Sequence, residues 1–372
     1  MFYGLVDLLR ERGHEVRTFV RRSADLPAGA VGQVRGFLSG IWSFRARRAL
    51  EEELDEHRPD IVQIQNLFPL ISPSVLGAVR MRRLPLVMMC QNYRLFCPTG
   101  LMLRDGRPCS DCVVGGESQC VRHRCEGGLG RSVGYALRNK VARSRLLRWV
   151  DRFVVLSSFQ RDRFVQWGVP MERIRVVPNF VDVAAGGGGA APDAGAGSVG
   201  GYVGRLSREK GLEPLLEAAR ACPEIPFEFA GHAAAMPGIE STAPANVRFL
   251  GELRHDEVPG FLARCRFTAA PSIWYEGMPF VVLEAMRASR PVVASRIGGL
   301  ADMIEDGRSG LLVAPGDSEG LARAFRRLWR DPEACSRMGA AARDRVHREY
   351  GRDVYYERMV SVYRETVKEV QP

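Results

Sequence analysis

At 372 residues the chain is long enough for two ordinary domains, since single hydrophobic cores seldom grow past about 250 residues. Its 46% hydrophobic and 26% charged residues form a globular composition that excludes disorder over most of the length, and no apolar run approaches the roughly 20 residues that span a bilayer. The net charge of +10 is uneven: residues 101–150 hold ten Arg and Lys against four Asp and Glu, so an anionic partner is sought there.

Residues 2–12 read as an amphipathic helix ending at Gly13, and "HEVRTFV" after it as a strand. A helical stretch near 33–55, the strand "DIVQIQ", a helix over 72–83 and the strand "LPLVMMC" follow. A cysteine-rich segment, a basic helix near 130–149, the strand "DRFVVLS", a helix to Gly168 and the short strand "RIRVV" complete the first half. Strands that alternate with helices require crossovers, hence a parallel, doubly wound α/β sheet. Such a domain ordinarily starts with a strand and a glycine turn. This sequence starts inside the helix, and truncation ahead of Met1 is expected in preference to a lost central strand.

"AAGGGGAAPDAGAGSVGG" holds no side chains able to build a core and reads as a linker. Beyond it the alternation resumes with "GYVGRL", "PFEFAG", "VRFLG", "FTAAPS", "PVVAS" and "SGLLV" as strands. The expected division is a domain over 1–182, a linker over 183–200, a second domain over 201–345, and a terminal segment over 346–372. In that last segment Tyr355, Met359, Val362 and Tyr363 recur at helical spacing, and the helix is expected to pack back toward the first domain.

Ligands of open parallel sheets bind at the carboxyl ends of the strands, where helix N-termini present free N–H groups. "GRLSREKG" sets Arg205 after a strand and Lys210 before a helix, two cations suited to a diphosphate and to the charge that grows as it departs. The plain alternative is a solvated turn. In "WYEGMPFVVLEAM" Gly277 and Pro279 predict a tight turn before a helix, with Glu276 in the turn and Glu284 inside the helix. Glu276 and the N–H groups of Gly277 and Met278 can then meet a sugar, and Phe280 opens the helix beside them. A carboxylate accepts two hydroxyl hydrogen bonds at once, as a ribose diol offers. Two surface carboxylates are the alternative, weakened by the apolar neighbours of Glu284. His232 in "AGHAAA" falls at another carboxyl strand edge, within reach of a nucleotide, whereas His14 reads as structural.

The E-x7-E spacing, "GRLSREKG" about seventy residues before it and "VVASRIGGLADMIEDGRSGLLVAPGD" after it resemble the retaining nucleotide-sugar glycosyltransferases of family 4, over residue 3 to about 350. The resemblance implies the GT-B fold, two doubly wound Rossmann-like domains facing across a cleft. It also implies transfer of a hexosyl group from a nucleotide diphosphate sugar to an acceptor hydroxyl with retention, in cell-surface glycan or glycolipid synthesis. By residue, it implies that Glu284 binds the donor ribose, Glu276 meets the transferred sugar, and Arg205 and Lys210 hold the diphosphate without a catalytic metal. No cofactor is required on this reading. Family members commonly carry His in the stretches matching "IVQIQN" and "MMCQNYR"; this chain has Gln63, Gln65 and Gln91 there. Gln91 can hydrogen-bond a sugar hydroxyl but cannot titrate. A non-catalytic relative that still binds nucleotide sugars is therefore the competing reading, and an epimerase on the same architecture lacks support in the first half.

"CPTGLMLRDGRPCSDC" and "CVRHRC" resemble a cysteine-insert subgroup of the same family. Cys109, Cys112, Cys120 and Cys125, with Cys97 or His123 as alternates, are spaced for a structural zinc, for reduced thiols or for disulfides. The basic helix that follows, with Arg138, Lys140, Arg143, Arg145 and Arg148, suits an anionic membrane surface or a solvated face. A lipid-linked or glycan acceptor favours the membrane. Nucleic acid is not expected, because no aromatic-interleaved basic groove is present. With no charged-then-apolar leader evident, the expected location is cytoplasmic, at the inner face of the membrane if peripheral.

Overall fold

The computed structural model describes residues 1–22, 29–68, 70–183 and 193–370, the side chains of residues 30–35 excepted. Two parallel sheets organise it. The first contains β1 (Val62–Ile64), β2 (Leu86–Cys90), β5 (Arg152–Val155) and β6 (Ile174–Val176) in the spatial order β1-β2-β5-β6. A two-residue hairpin, β3 (Leu103–Arg104) with β4 (Arg107–Pro108), belongs to the cysteine-rich segment. The second sheet runs β12-β11-β10-β7-β8-β9, from β7 (Val199–Val203), β8 (Phe227–Ala230), β9 (Val247–Gly251), β10 (Cys265–Ala270), β11 (Val292–Ser295) and β12 (Gly310–Val313). Every pairing in both large sheets is parallel. Helices cover both faces, which is why all four residues of β5 and of β11 are buried and why both read as unbroken apolar runs.

Three local readings change. "HEVRTFV" forms no strand: a strand needs a neighbouring edge to take its backbone bonds, and this segment is held instead by side chains, with Arg10 donating to the Val16 carbonyl at 2.7 Å and His14 Nε2 bonded to the Tyr356 hydroxyl at 2.8 Å. The helical stretch near 33–55 is two helices, Ala30–Ile41 and Phe44–His57, because extended Trp42 breaks it and Ser43 caps the second by accepting from Ala46 N. Residues 184–192 of the linker segment lie outside the described residues; after them Ala194 is buried in the second-domain core and Val199 already opens β7.

The terminal helix Arg352–Val370 lies against the first sheet. Its Tyr363 hydroxyl donates to Gln63 Oε1 at 2.6 Å, Glu365 accepts from Arg175 Nε at 2.8 Å, and Arg152 pairs with Glu369. Met359, Val360 and Val362 join Val87, Met89 and Val154 of the first sheet and Leu283, Met286 and Leu300 of the second half in one apolar cluster. The two halves therefore share a core at their seam, to which the terminal helix contributes.

Candidate functional site

The loops after β7, β10 and β11 converge at the carboxyl edge of the second sheet, and glycines set how closely they meet. Gly211, in the loop after β7, has φ +74°, and a Cβ there would stand 1.9 Å from the Pro271 carbonyl oxygen in the loop after β10. A Cβ on Gly299 would stand 1.6 Å from the Gly277 carbonyl oxygen, and Gly299 N donates to the Glu276 carbonyl at 2.7 Å. Only glycine permits these approaches.

Inside that convergence Glu276 is 4% exposed. Its Oε1 accepts from Lys210 Nζ at 2.5 Å and from Ser272 Oγ at 2.6 Å. Lys210 also lies 5.4 Å from the centre of the Trp274 ring. The two expected site residues thus form one charge-assisted pair largely withdrawn from water, so that loss of either partner would leave a buried charge uncompensated. Arg205 stands at the rim, 64% exposed by side chain, with Nη2 3.1 Å from Glu209 Oε1. The Glu209 carbonyl in turn accepts from Ile273 N at 3.0 Å, tying the loop that carries both cations to the loop that carries Glu276.

The turn that follows is anchored across the seam. Met278 is buried, its sulfur accepting from Asn179 N at 3.1 Å and its carbonyl from Asn179 Nδ2 at 3.0 Å. Its side chain is a core group, so contact with a ligand falls to the backbone. Pro279 is extended and precedes the helix Phe280–Arg287, at whose start Phe280 is 36% exposed. Glu284 lies on that helix, its carboxylate 3.8 Å from His255 Nδ1. Burial pushes the Glu284 carboxyl above its ordinary value, and the charges of His255 and Arg287 only partly offset this. A carboxylate only 16% exposed, whose nearest ion-pair contact among the described residues is His255 at 3.8 Å, is suited to accept hydroxyl hydrogen bonds.

His232 is exposed past the end of β8; its carbonyl accepts from Leu206 N at 3.1 Å and its Nδ1 from Ala234 N at 3.0 Å, which fixes the ring beside the Arg205 loop. Gln91 is exposed just past β2, and its carbonyl oxygen would lie 3.4 Å from a Cβ on Gly277. The carboxyl ends of the two sheets therefore meet at Gly277. Tyr275 completes the meeting, with ring centres 6.0 Å from Tyr93 and 4.9 Å from Phe159 of the first half. Gln65 leaves its Nε2 buried without a hydrogen-bond partner among the described residues, while Gln63 is engaged by Tyr363. Ser272, Glu209, Trp274 and Asn179 escaped the sequence reading. Ser272 alone carried a local signal, a hydroxyl four residues before Glu276 at a strand end.

The cysteine-rich segment lies behind the Gln91 loop. None of its thiols is in a disulfide, and Cys97, Cys109, Cys112, Cys120 and Cys125 line one cavity. The basic helix, Leu129–Trp149, turns much of its charge inward: Arg138 is buried against Phe68 and Tyr135, Arg143 donates to the Cys112 carbonyl, and Arg145 covers Trp42. Lys140 and Arg148 face outward, as do Leu129, Val133 and Leu137 at four-residue spacing. No helix among the described residues is long and apolar enough to cross a membrane.

Two family profiles match the chain, "Glycosyltransferase Family 4" over residues 1–185 and "Glycosyl transferases group 1" over residues 197–331. Similar curated proteins include a glycogen synthase of Mycobacterium tuberculosis, 33% identical over 214 residues covering 55% of this chain and 51% of that protein. The alpha-D-kanosaminyltransferase of Streptomyces kanamyceticus is 33% identical over 44% of this chain and 45% of its own. The chain spans about half the length of these curated relatives. Among solved structures, HepE of Anabaena in complex with UDP-glucose aligns with a TM-score of 0.64 over 97% of this chain and 89% of that one, at 18% identity. A glycosyltransferase of Rickettsia africae aligns with a TM-score of 0.66 over 98% and 88%, at 13% identity. Paired parallel α/β sheets meeting at their carboxyl edges, two adjoining profiles over most of the length and these neighbours agree: the chain is a GT-B protein and belongs to the family 4, group 1 glycosyltransferases.

Proposed function

We propose that the chain transfers a hexosyl group from a nucleotide diphosphate sugar to an acceptor hydroxyl, with retention at the anomeric carbon. The observation that carries this reading is the Lys210–Glu276 pair at 2.5 Å, set where the loops after β7 and β10 meet Gln91 across the seam. In the reaction the bond from the anomeric carbon to the diphosphate oxygen breaks with its electron pair leaving on phosphate. The acceptor oxygen bonds to the same face, and its proton passes to the departing phosphate oxygen. Charge grows on the diphosphate, and Lys210 and Arg205 lie where they offset it, which is the work a divalent ion does in other transferases. The reading calls for no cofactor in this step.

Glu276, fixed by Lys210 and Ser272, presents its other oxygen to sugar hydroxyls, with the Gly277 and Met278 N–H groups beside it. Glu284 accepts the ribose diol, His232 flanks the nucleotide, and the Gln91 amide meets the transferred sugar from the other half. Closure of the seam over the sugar excludes water, which otherwise hydrolyses the donor. The acceptor is a lipid-linked sugar or a glycan of the cell surface, reached from the cytoplasmic side. Leu129, Val133 and Leu137, with Lys140 and Arg148 alongside, are suited to rest on an anionic bilayer.

Calorimetry with a panel of nucleotide sugars, followed by an assay for released nucleoside diphosphate with membrane extract as acceptor, tests the reading. Binding with release supports it. Binding without release in every acceptor mixture favours a non-catalytic donor-binding protein, the reading that Gln65 and Gln91 suggest, and absence of binding rejects the donor site itself.

A further inference from the structure

We propose that the cysteine cavity beside the Gln91 loop is a structural zinc site, in which one ion is held by four of the five thiolates of Cys97, Cys109, Cys112, Cys120 and Cys125. The inference is independent of the donor reading. The five side chains come from successive short pieces: the turn before the β3–β4 hairpin, the stretch after it, the helices Asp111–Val114 and Ser118–Arg122, and the loop that follows. All five line a cavity of about 20 Å³, room for a single small occupant. Cys112 and Cys120 are buried, Cys97 and Cys109 are half-buried, and Cys125 is exposed at the edge of the cavity.

Among the described residues no three His, Cys, Asp or Glu side chains are set as a finished ligand group. Binding an ion therefore requires the thiols to turn toward one another about their χ1 angles. Tetrahedral zinc with Zn–S bonds of about 2.3 Å holds its sulfurs about 3.8 Å apart, which is the contact distance of neighbouring thiols. Four thiols give up their protons to solvent as the Zn–S bonds form. Two guanidinium groups lie beside the thiols, each also facing a carboxylate, Arg104 with Asp111 and Arg143 with Glu117 at 3.6 Å. Arg104 donates to Asp111 Oδ2 at 2.6 Å beside Cys109 and Cys112, and Arg143 donates to the Cys112 carbonyl at 3.2 Å.

The segment also needs a staple. Two-residue strands and helices of four and five residues build little core of their own, and such small units are commonly held by a metal or disulfides. The cavity begins one short turn beyond Tyr93, whose N–H donates to the Gly100 carbonyl at 3.4 Å and whose ring meets Tyr275. An ion here would fix the loop that carries Gln91 to the seam.

The full chain, purified under reducing conditions without a histidine tag, should carry roughly one zinc per molecule by elemental mass spectrometry, and cobalt in its place should show thiolate-to-metal charge-transfer absorption. Chelation should expose about four further reactive thiols and lower the melting temperature, and one equivalent of zinc should restore both. C109S combined with C112S should abolish the metal; should that variant not fold, the chelation and re-addition on the unaltered chain stand as the test. Folded protein with no stoichiometric zinc, disulfides among these cysteines in the reduced preparation, or zinc retained by a folded double variant would each overturn the proposal.

Discussion

In the second half, Gly211 and Gly299 let neighbouring loops touch backbone to backbone, and Lys210 and Glu276 pair between them. In the first half, Gln91 is exposed at the start of the loop after β2, whose support comes from aromatic contacts of Tyr93 and from the cysteine segment behind it. One half builds its site from rigid strand ends and short turns. The other hangs it on an insert that has little core. On the function proposed above, donor recognition falls on the part of the fold that tolerates least change, and acceptor recognition on the part free to vary.

The sharpest way to break this comparison is Lys210→Ala. Transfer should fall about 100- to 1000-fold in kcat, the range for loss of one preorganised charge partner in the transition state, read as release of nucleoside diphosphate. A loss smaller than tenfold would show that the pair is structural only. Glu284→Gln should come next, weakening donor binding by about ten- to a hundredfold in calorimetry, the effect of losing a hydrogen bond to a charged acceptor.

The same variant has an opposite effect on stability. The folded Glu284 carboxyl binds its proton more tightly than the unfolded one, whose ordinary value is 4.5. Folding therefore takes up a proton as pH rises through that value, and stability conferred by the neutral form is lost toward neutrality. Glu284→Gln should thus raise the melting temperature of the ligand-free protein at pH 7, and the gain should shrink toward zero as pH falls below about 4. A gain independent of pH would mean that the desolvated charge is not its source.

Asn179→Ala probes the seam between the two sides. It removes the amide that donates to the Met278 carbonyl and should cost about 1–3 kcal/mol by thermal or denaturant unfolding, since that carbonyl is left without its donor. The smallest effect belongs to the outer face of the acceptor half. Val133→Asp should reduce flotation with anionic vesicles a few-fold, roughly 1 kcal/mol, while leaving transfer to a soluble acceptor unchanged. Equal binding of both forms to vesicles would remove the membrane from the account.

Legibility in the sequence followed the range of the interactions. Glu276, Glu284, Arg205 and Lys210 stood out because turn residues, strand ends and spacing are local marks. Asn179 and Trp274 carried none, since an asparagine that clamps Met278 from 99 residues away and an indole under Lys210 look ordinary in a string. The inward turn of Arg138 and Met278 was equally hidden: both are decided by what packs against them from distant segments. "HEVRTFV" shows the converse. Its alternation is a strand's, but alternation is only a capacity for pairing.

The order of elements, the two-sheet class and the charged residues at the strand ends were determined by the sequence itself, because propensity, periodicity and turn chemistry act over a few residues. That Lys210 pairs with Glu276, that Gly277 lies beside Gln91, and that five cysteines face one cavity were decided only by tertiary structure. Those facts depend on which loops the sheets bring together, and the packing that joins them is between residues far apart in the chain.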